Sequence, residues 1–135
     1  MTNRSKPSLK PKLIIVEDDG WFAESLVGVL DDFDSRIVRN PDSAFAMIDE
    51  FQPDVILGDV ILGSKNIFTL LNEMQSYTDT RQIPIVLLTG AAKQIDPKDV
   101  VIYQVQRILN KAETNPREVS EALFNTIEFG SRRGK

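Results

Sequence analysis

Apolar runs rich in Leu, Ile and Val occur at 13–16, 55–57 and 83–88, with weaker ones at 36–38 and 107–109. Between them, apolar positions recur at helical spacing. Phe22, Leu26, Val29, Leu30 and Phe33 make one stripe, and Ala44, Met47, Ile48 and Phe51 a second. Ile67, Leu70, Leu71 and Met74 make a third, and Val119, Leu123 and Ile127 the last. Three helix starts carry an Asn or Asp cap followed by proline at the first helical position: Asn40-Pro41, Asp96-Pro97 and Asn115-Pro116. Glu118, three residues after Asn115, is placed for a capping box. Five strands alternating with five helices predict an α/β fold: a doubly wound five-stranded parallel sheet with helices on both faces and right-handed crossovers. The near-continuous apolar character of 55–57 and 85–88 suits strands covered on both sides. The fourth helix has the weakest signal, because residues 93–106 hold Ile95, Val100, Val101, Ile102, Tyr103 and Val105 without a clean stripe. With no repeat, low-complexity tract or linker, one domain is expected over 12–130, between basic tails at 1–11 and 131–135.

Composition narrows the chemistry. A chain of 135 residues, 41% hydrophobic and 27% charged, can bury an ordinary globular core. It has no cysteine, which removes disulfides and thiolate chemistry, and no histidine, which removes the commonest general base and transition-metal ligand. No apolar stretch is long enough to span a bilayer and none forms a signal-peptide core, so a cytoplasmic location and no membrane partner are expected. The net charge of −4 is uneven. Seven cations lie at the two ends, leaving nine basic residues against twenty acidic ones in the body, a balance of −11. Such a body is not a nucleic-acid surface.

Candidate chemistry sits where the apolar runs end. Asp59 closes the run from Pro53, and a carboxylate at the tip of a buried strand requires compensation. Glu17-Asp18-Asp19 follows the first run, Thr89 ends the run from Ile83, and Lys111 follows the last. In an open α/β sheet the C-terminal strand ends share one edge, where ligands bind, so these groups converge there. Carboxylates able to hold a divalent cation, a lysine and a hydroxyl around one aspartate describe a phosphoryl-accepting site. Taken singly, each residue has a plainer reading: Asp18 or Asp19 as a helix cap, Lys111 as a solvated lysine, Thr89 as a β-branched strand residue.

Together these segments resemble the receiver domain of two-component response regulators over nearly the whole chain. Leu13-Ile14-Ile15-Val16-Glu17-Asp18-Asp19 is similar to the family's first strand and acidic cluster, and Pro53-Asp54-Val55-Ile56-Leu57-Gly58-Asp59 to its phosphoacceptor strand. Ile85-Val86-Leu87-Leu88-Thr89-Gly90 matches the strand with the switch hydroxyl, and Ile108-Leu109-Asn110-Lys111 the strand with the lysine. The resemblance implies a flavodoxin-like receiver fold and a phosphoprotein without an output domain, not a turnover enzyme. Asp59 would accept a phosphoryl group from a histidine kinase or phosphotransfer protein, with Thr89 and Lys111 contacting that group. Mg²⁺ would be held by Asp18, Asp59 and the backbone carbonyl of Ile61, with Glu17 acting through a water. A downstream protein would bind the face of the fourth helix, fifth strand and fifth helix.

The chain also departs from that pattern. Ile108 stands where the family usually has a switch aromatic, and Ala112 replaces the proline after the lysine, so a trans bond is expected there. Gly63 replaces a proline, Ile67 a glycine, and Gly58 a bulky apolar residue, which predicts slack beneath the site. Two rivals remain. A pseudo-receiver would keep the fold without phosphorylation. A phosphatase of the haloacid dehalogenase type would need a second aspartate where Ile61 stands, and an acidic pair after the nucleophile instead of before it.

Overall fold

The computed structural model describes residues 10–133; of the expected basic tails, residues 1–9 and 134–135 lie outside the described residues. Five strands form one parallel sheet: β1 (Lys12–Val16), β2 (Asp34–Val38), β3 (Val55–Gly58), β4 (Ile85–Thr89) and β5 (Val105–Asn110). Their spatial order is β2-β1-β3-β4-β5. Register aligns Val16 with both Val38 and Gly58, and Gly58 with Leu87, so the strand tips share one edge. The helices are α1 (Gly20–Val29), α2 (Pro41–Phe51), α3 (Phe68–Gln75), α4 (Pro97–Val100) and α5 (Pro116–Arg133).

Strand alternation divides the core into two layers. Ile14, Val16, Ile56 and Leu87 face Ala44 and Ile48 of α2 and Leu70, Leu71 and Met74 of α3. Leu13, Ile15, Val55 and Leu57 face Ala23 and Leu26 of α1 and Val119 and Leu123 of α5. The expected doubly wound architecture is therefore present, and β1 and β3 are covered on both faces. At the sheet edge, β5 buries only Val105 and Leu109 and exposes Arg107 between them, which explains its weak apolar signal.

The caps act as their sequences imply. Asn40 accepts from Asp42 N at 2.8 Å, and Asp96 from Lys98 N at 3.0 Å. Asn115 and Glu118 form a reciprocal box: Asn115 N donates to Glu118 Oε1 and Glu118 N to Asn115 Oδ1, both at 2.9 Å.

Several expectations need correction. The fourth helix is only four residues long, flanked by 3₁₀ turns at Ala92–Gln94 and Val101–Tyr103, and Val105 belongs to β5. Its buried anchor is Val100, while Val101 and Ile102 are exposed, so no sustained apolar stripe exists to carry a longer helix. Phe33 lies beyond α1, yet it is buried in the same core layer. Between β3 and α3 the chain forms a small antiparallel hairpin, Ile61–Leu62 with Lys65–Asn66, turned at Gly63 with φ +66°. The slack expected under Gly58 is absent, because Ile67 fills that space. No cis peptide bond occurs among the described residues, so Lys111–Ala112 is trans as expected.

Candidate functional site

At the C-terminal edge of the sheet an open cleft is lined by Asp18, Asp59, Ile61, Gly63, Thr89, Gly90, Ala91, Gln94 and Lys111. Asp59 follows β3 directly, and its amide donates to Val16 O at 3.0 Å, which extends the β1–β3 ladder by one bond beyond the strands. Asp59 as a whole is 8% exposed, buried yet lining the open cleft. Oδ2 accepts from Lys111 Nζ at 2.8 Å, and Oδ1 has a longer contact, 3.4 Å, with the Ile61 amide.

Lys111 is a bridge between two acids. Its Nζ lies 2.8 Å from Glu17 Oε1 as well as 2.8 Å from Asp59 Oδ2. The Phe22 ring lies beneath it, 4.4 Å from ammonium to ring centroid, adding a cation–π contact. Burial alone would lower the Lys111 pKa, but hydrogen bonds to Asp59 and Glu17 outweigh it and hold the ammonium above its ordinary 10.5. The solvated-lysine reading is excluded by this geometry.

The acidic cluster divides its labour. Asp19 caps α1, accepting from Trp21 N and Phe22 N at 3.1 Å each, and its own amide donates to Glu17 Oε2 at 3.0 Å. Glu17 is 3% exposed, and both its oxygens are engaged. Burial pushes its carboxyl above the ordinary value; Lys111 and the Asp19 amide pull the other way without cancelling the shift. That leaves exposed Asp18 free of the capping role and facing the cleft. Glu17, Asp18 and Asp59 each present a carboxylate oxygen, all within 4.8 Å of one another. An all-oxygen, anionic donor set of this size fits a hard divalent cation such as Mg²⁺.

Thr89 ends β4 fully buried, with its Oγ1 accepting from Ala91 N at 3.2 Å. Its carbonyl accepts from Lys111 N at 3.0 Å, tying the hydroxyl-bearing and lysine-bearing strands together at the cleft floor. Every residue expected from the sequence is thus at this edge. Gln94 and Phe22 were not anticipated as site residues. Gln94 lies in the stretch with no clean periodicity, and Phe22 reads in sequence only as a core position.

Comparison with known proteins agrees with this fold. MtrA, a DNA-binding response regulator of Mycobacterium tuberculosis, is 26% identical over 91 residues, which is 66% of this chain but 39% of MtrA. The chain therefore matches well under half the length of that relative. A sensor protein from Polaromonas sp. JS666 superposes with a TM-score of 0.81 at 21% identity, covering 89% of this chain and 98% of that one. The receiver domain of the sensor histidine kinase PA1611 from Pseudomonas aeruginosa, solved with magnesium in its active-site cleft, gives 0.74 at 21% identity over 88% and 98%. Among the described residues no helix is long and apolar enough to cross a membrane. The response regulator receiver domain model matches residues 13–124, and the chain belongs to that family of phosphorylation-based two-component signalling modules.

Proposed function

We propose that Asp59 accepts a phosphoryl group from a phosphohistidine on a sensor histidine kinase or phosphotransfer protein. The observation that carries this reading is the Asp59 carboxylate itself, nearly buried, hydrogen-bonded to Lys111 at 2.8 Å, and still open to the cleft. In the transfer an Asp59 oxygen bonds to phosphorus while the P–N bond breaks. The imidazole leaves with the bonding pair and the product is an acyl phosphate. Lys111 offers a fixed positive charge to the arriving phosphoryl oxygens, and the Thr89 hydroxyl, now bonded to the Ala91 amide, is placed to donate to one of them. Asp18, Asp59 and the Ile61 carbonyl would hold Mg²⁺, with Glu17 acting through a water. When bound, the cation offsets repulsion between the carboxylate and the phosphoryl group. The cation bound in the PA1611 receiver supports this assignment.

A downstream protein reads the phosphorylated state at the face made by α4, β5 and α5; the exposed Val101 and Ile102 lie in the 3₁₀ turn between α4 and β5. The site belongs in the cytoplasm, where its phosphodonors act. The test is intact mass after incubation with acetyl phosphate and Mg²⁺. Wild type gains one phosphoryl group and Asp59→Asn gains none. A wild type that stays unmodified beside an active receiver is a pseudo-receiver, and the proposal fails.

A further inference from the structure

Gly58 and Val60 flank the phosphoacceptor in the chain, and both rest on Ile67. Behind Asp59, a Cβ built on residue 58 would lie 2.4 Å from Ile67 Cδ1, closer than real side chains approach. The Ile67 δ-methyl therefore occupies the volume that any side chain at 58 would need. Glycine is not demanded there by the backbone, since Gly63 is the residue that carries positive φ among the described glycines. Ahead of Asp59, the Ile67 amide donates to Val60 O at 2.9 Å and closes the hairpin loop at its base.

Ile67 is itself immobilised. It is fully buried in the core layer that includes Val16, Val60, Leu70 and Leu71, and its carbonyl accepts from Leu71 N at 3.0 Å in the first turn of α3. The loop it closes carries Ile61 and Gly63, both on the cleft wall, and a Cβ at Gly63 would come within 3.8 Å of Asp18 Oδ2. A shift of Ile67 is thus transmitted to residues on both sides of Asp59 and to the wall facing Asp18.

We propose that Ile67 is a positioning residue: seated in the hollow left by Gly58 and bonded to Val60, it fixes the Asp59 carboxylate and the Ile61 main chain for the cation and the phosphoryl group. The inference rests on the proposed function of Asp59. A residue that merely fills the core would alter stability alone. A positioning residue also alters cation affinity and phosphorylation rate, and it does so according to steric fit at 58.

The experiment exchanges one methyl. Gly58→Ala forces Ile67 Cδ1 aside, while Gly58→Ala combined with Ile67→Val removes that methyl and readmits the alanine. Each protein is measured by urea unfolding, by Mg²⁺ titration of the backbone amide resonances of residues 59–63, and by phosphorylation rate with acetyl phosphate. Gly58→Ala lowers Mg²⁺ affinity and rate about tenfold or more, and the double variant recovers most of both. Ile67→Ala, which tests the clamp independently should Gly58→Ala fail to fold, loses affinity and rate as well as stability. Variants that lose stability but keep wild-type Mg²⁺ affinity and rate overturn the clamp, as does a double variant no better than Gly58→Ala. If wild type gains no phosphoryl group, the proposed function fails, and the clamp stands or falls on Mg²⁺ affinity. A wild type that neither binds Mg²⁺ nor gains a phosphoryl group overturns both.

Discussion

Lys111→Met removes the cation that lies between two buried carboxylates. Its Nζ is 2.8 Å from each, and the side chains of Glu17 and Asp59 are 3% and 9% exposed. Stranding a fully buried charge costs about 3–5 kcal/mol. The lysine side chain is 25% exposed, however, so water in the cleft screens both pairs toward surface values of up to about 1 kcal/mol each. Between those limits the loss is roughly 2–3 kcal/mol near neutral pH. For a domain of this size that lowers Tm by about 10 °C. Methionine keeps most of the stem and loses the ammonium with its cation–π contact to the Phe22 ring, so the change reports charge more than packing.

The loss must also depend on pH with a definite sign. Burial already holds the Glu17 carboxyl above its ordinary 4.5, and Lys111 opposes that rise. Removing Lys111 therefore raises it further. A carboxyl whose folded pKa exceeds its unfolded value stabilises the fold fully below the unfolded value, and the contribution is lost as pH rises through the folded one. On acidification from neutrality toward 4.5, the variant regains stability sooner than wild type and the gap narrows. At the alkaline end Lys111, held above 10.5, contributes fully below that value and loses its contribution above it, so the gap narrows there too. Urea unfolding of both proteins across this range is the assay. A loss under about 0.5 kcal/mol at neutrality, or one that does not shrink with acid, refutes the bridge as described.

Other expectations follow from single residues. Asp18→Ala weakens Mg²⁺ binding about tenfold or more while leaving α1 intact, because Asp19 supplies the cap; calorimetric titration and circular dichroism check the two halves. Ile61, 56% exposed on the cleft wall, cannot hydrogen-bond an attacking water, and nor can Ala91, so the acyl phosphate should hydrolyse slowly. Ile61→Asn accelerates decay severalfold, and an unchanged or slower decay removes the argument. Asn115→Ala breaks the reciprocal cap of α5 and costs about 1 kcal/mol, read as a lower urea midpoint with unchanged slope. With Ile108 in place of a rotating ring, beryllofluoride should change amide exchange chiefly in residues 90–104; changes centred on 105–110 with that region silent count against it.

What the sequence made legible follows from how local each signal is. Caps such as Asn40 and Asn115 act within three residues, so their type and spacing are nearly sufficient evidence. Strands buried on both faces advertise themselves as continuous apolar runs, as β1 and β3 do. The cleft was readable for a topological reason: parallel strands place all their C-terminal ends together, so Asp59, Thr89 and Lys111 meet wherever their strands pair. The α4 region was obscure because it has only one deep anchor, Val100, and its remaining apolar residues are exposed or half-buried.

The harder lesson lies in Gly58 and Ile67. Read one at a time, each departs from the receiver pattern, and Gly58 suggests slack beneath the site. In space they are one substitution, volume moved from the phosphoacceptor strand to the residue before α3, with Ile67 Cδ1 where a side chain at 58 would have been. Nothing at nine residues' separation announces that exchange, since neither strand nor helix periodicity links the two positions. It becomes visible only when the hairpin brings Ile67 back to Val60 through a 2.9 Å hydrogen bond. A close-packed core conserves volume more strictly than it conserves which residue supplies it. A receiver sequence can therefore lose two of its customary residues beside the phosphoacceptor and keep the packing around it.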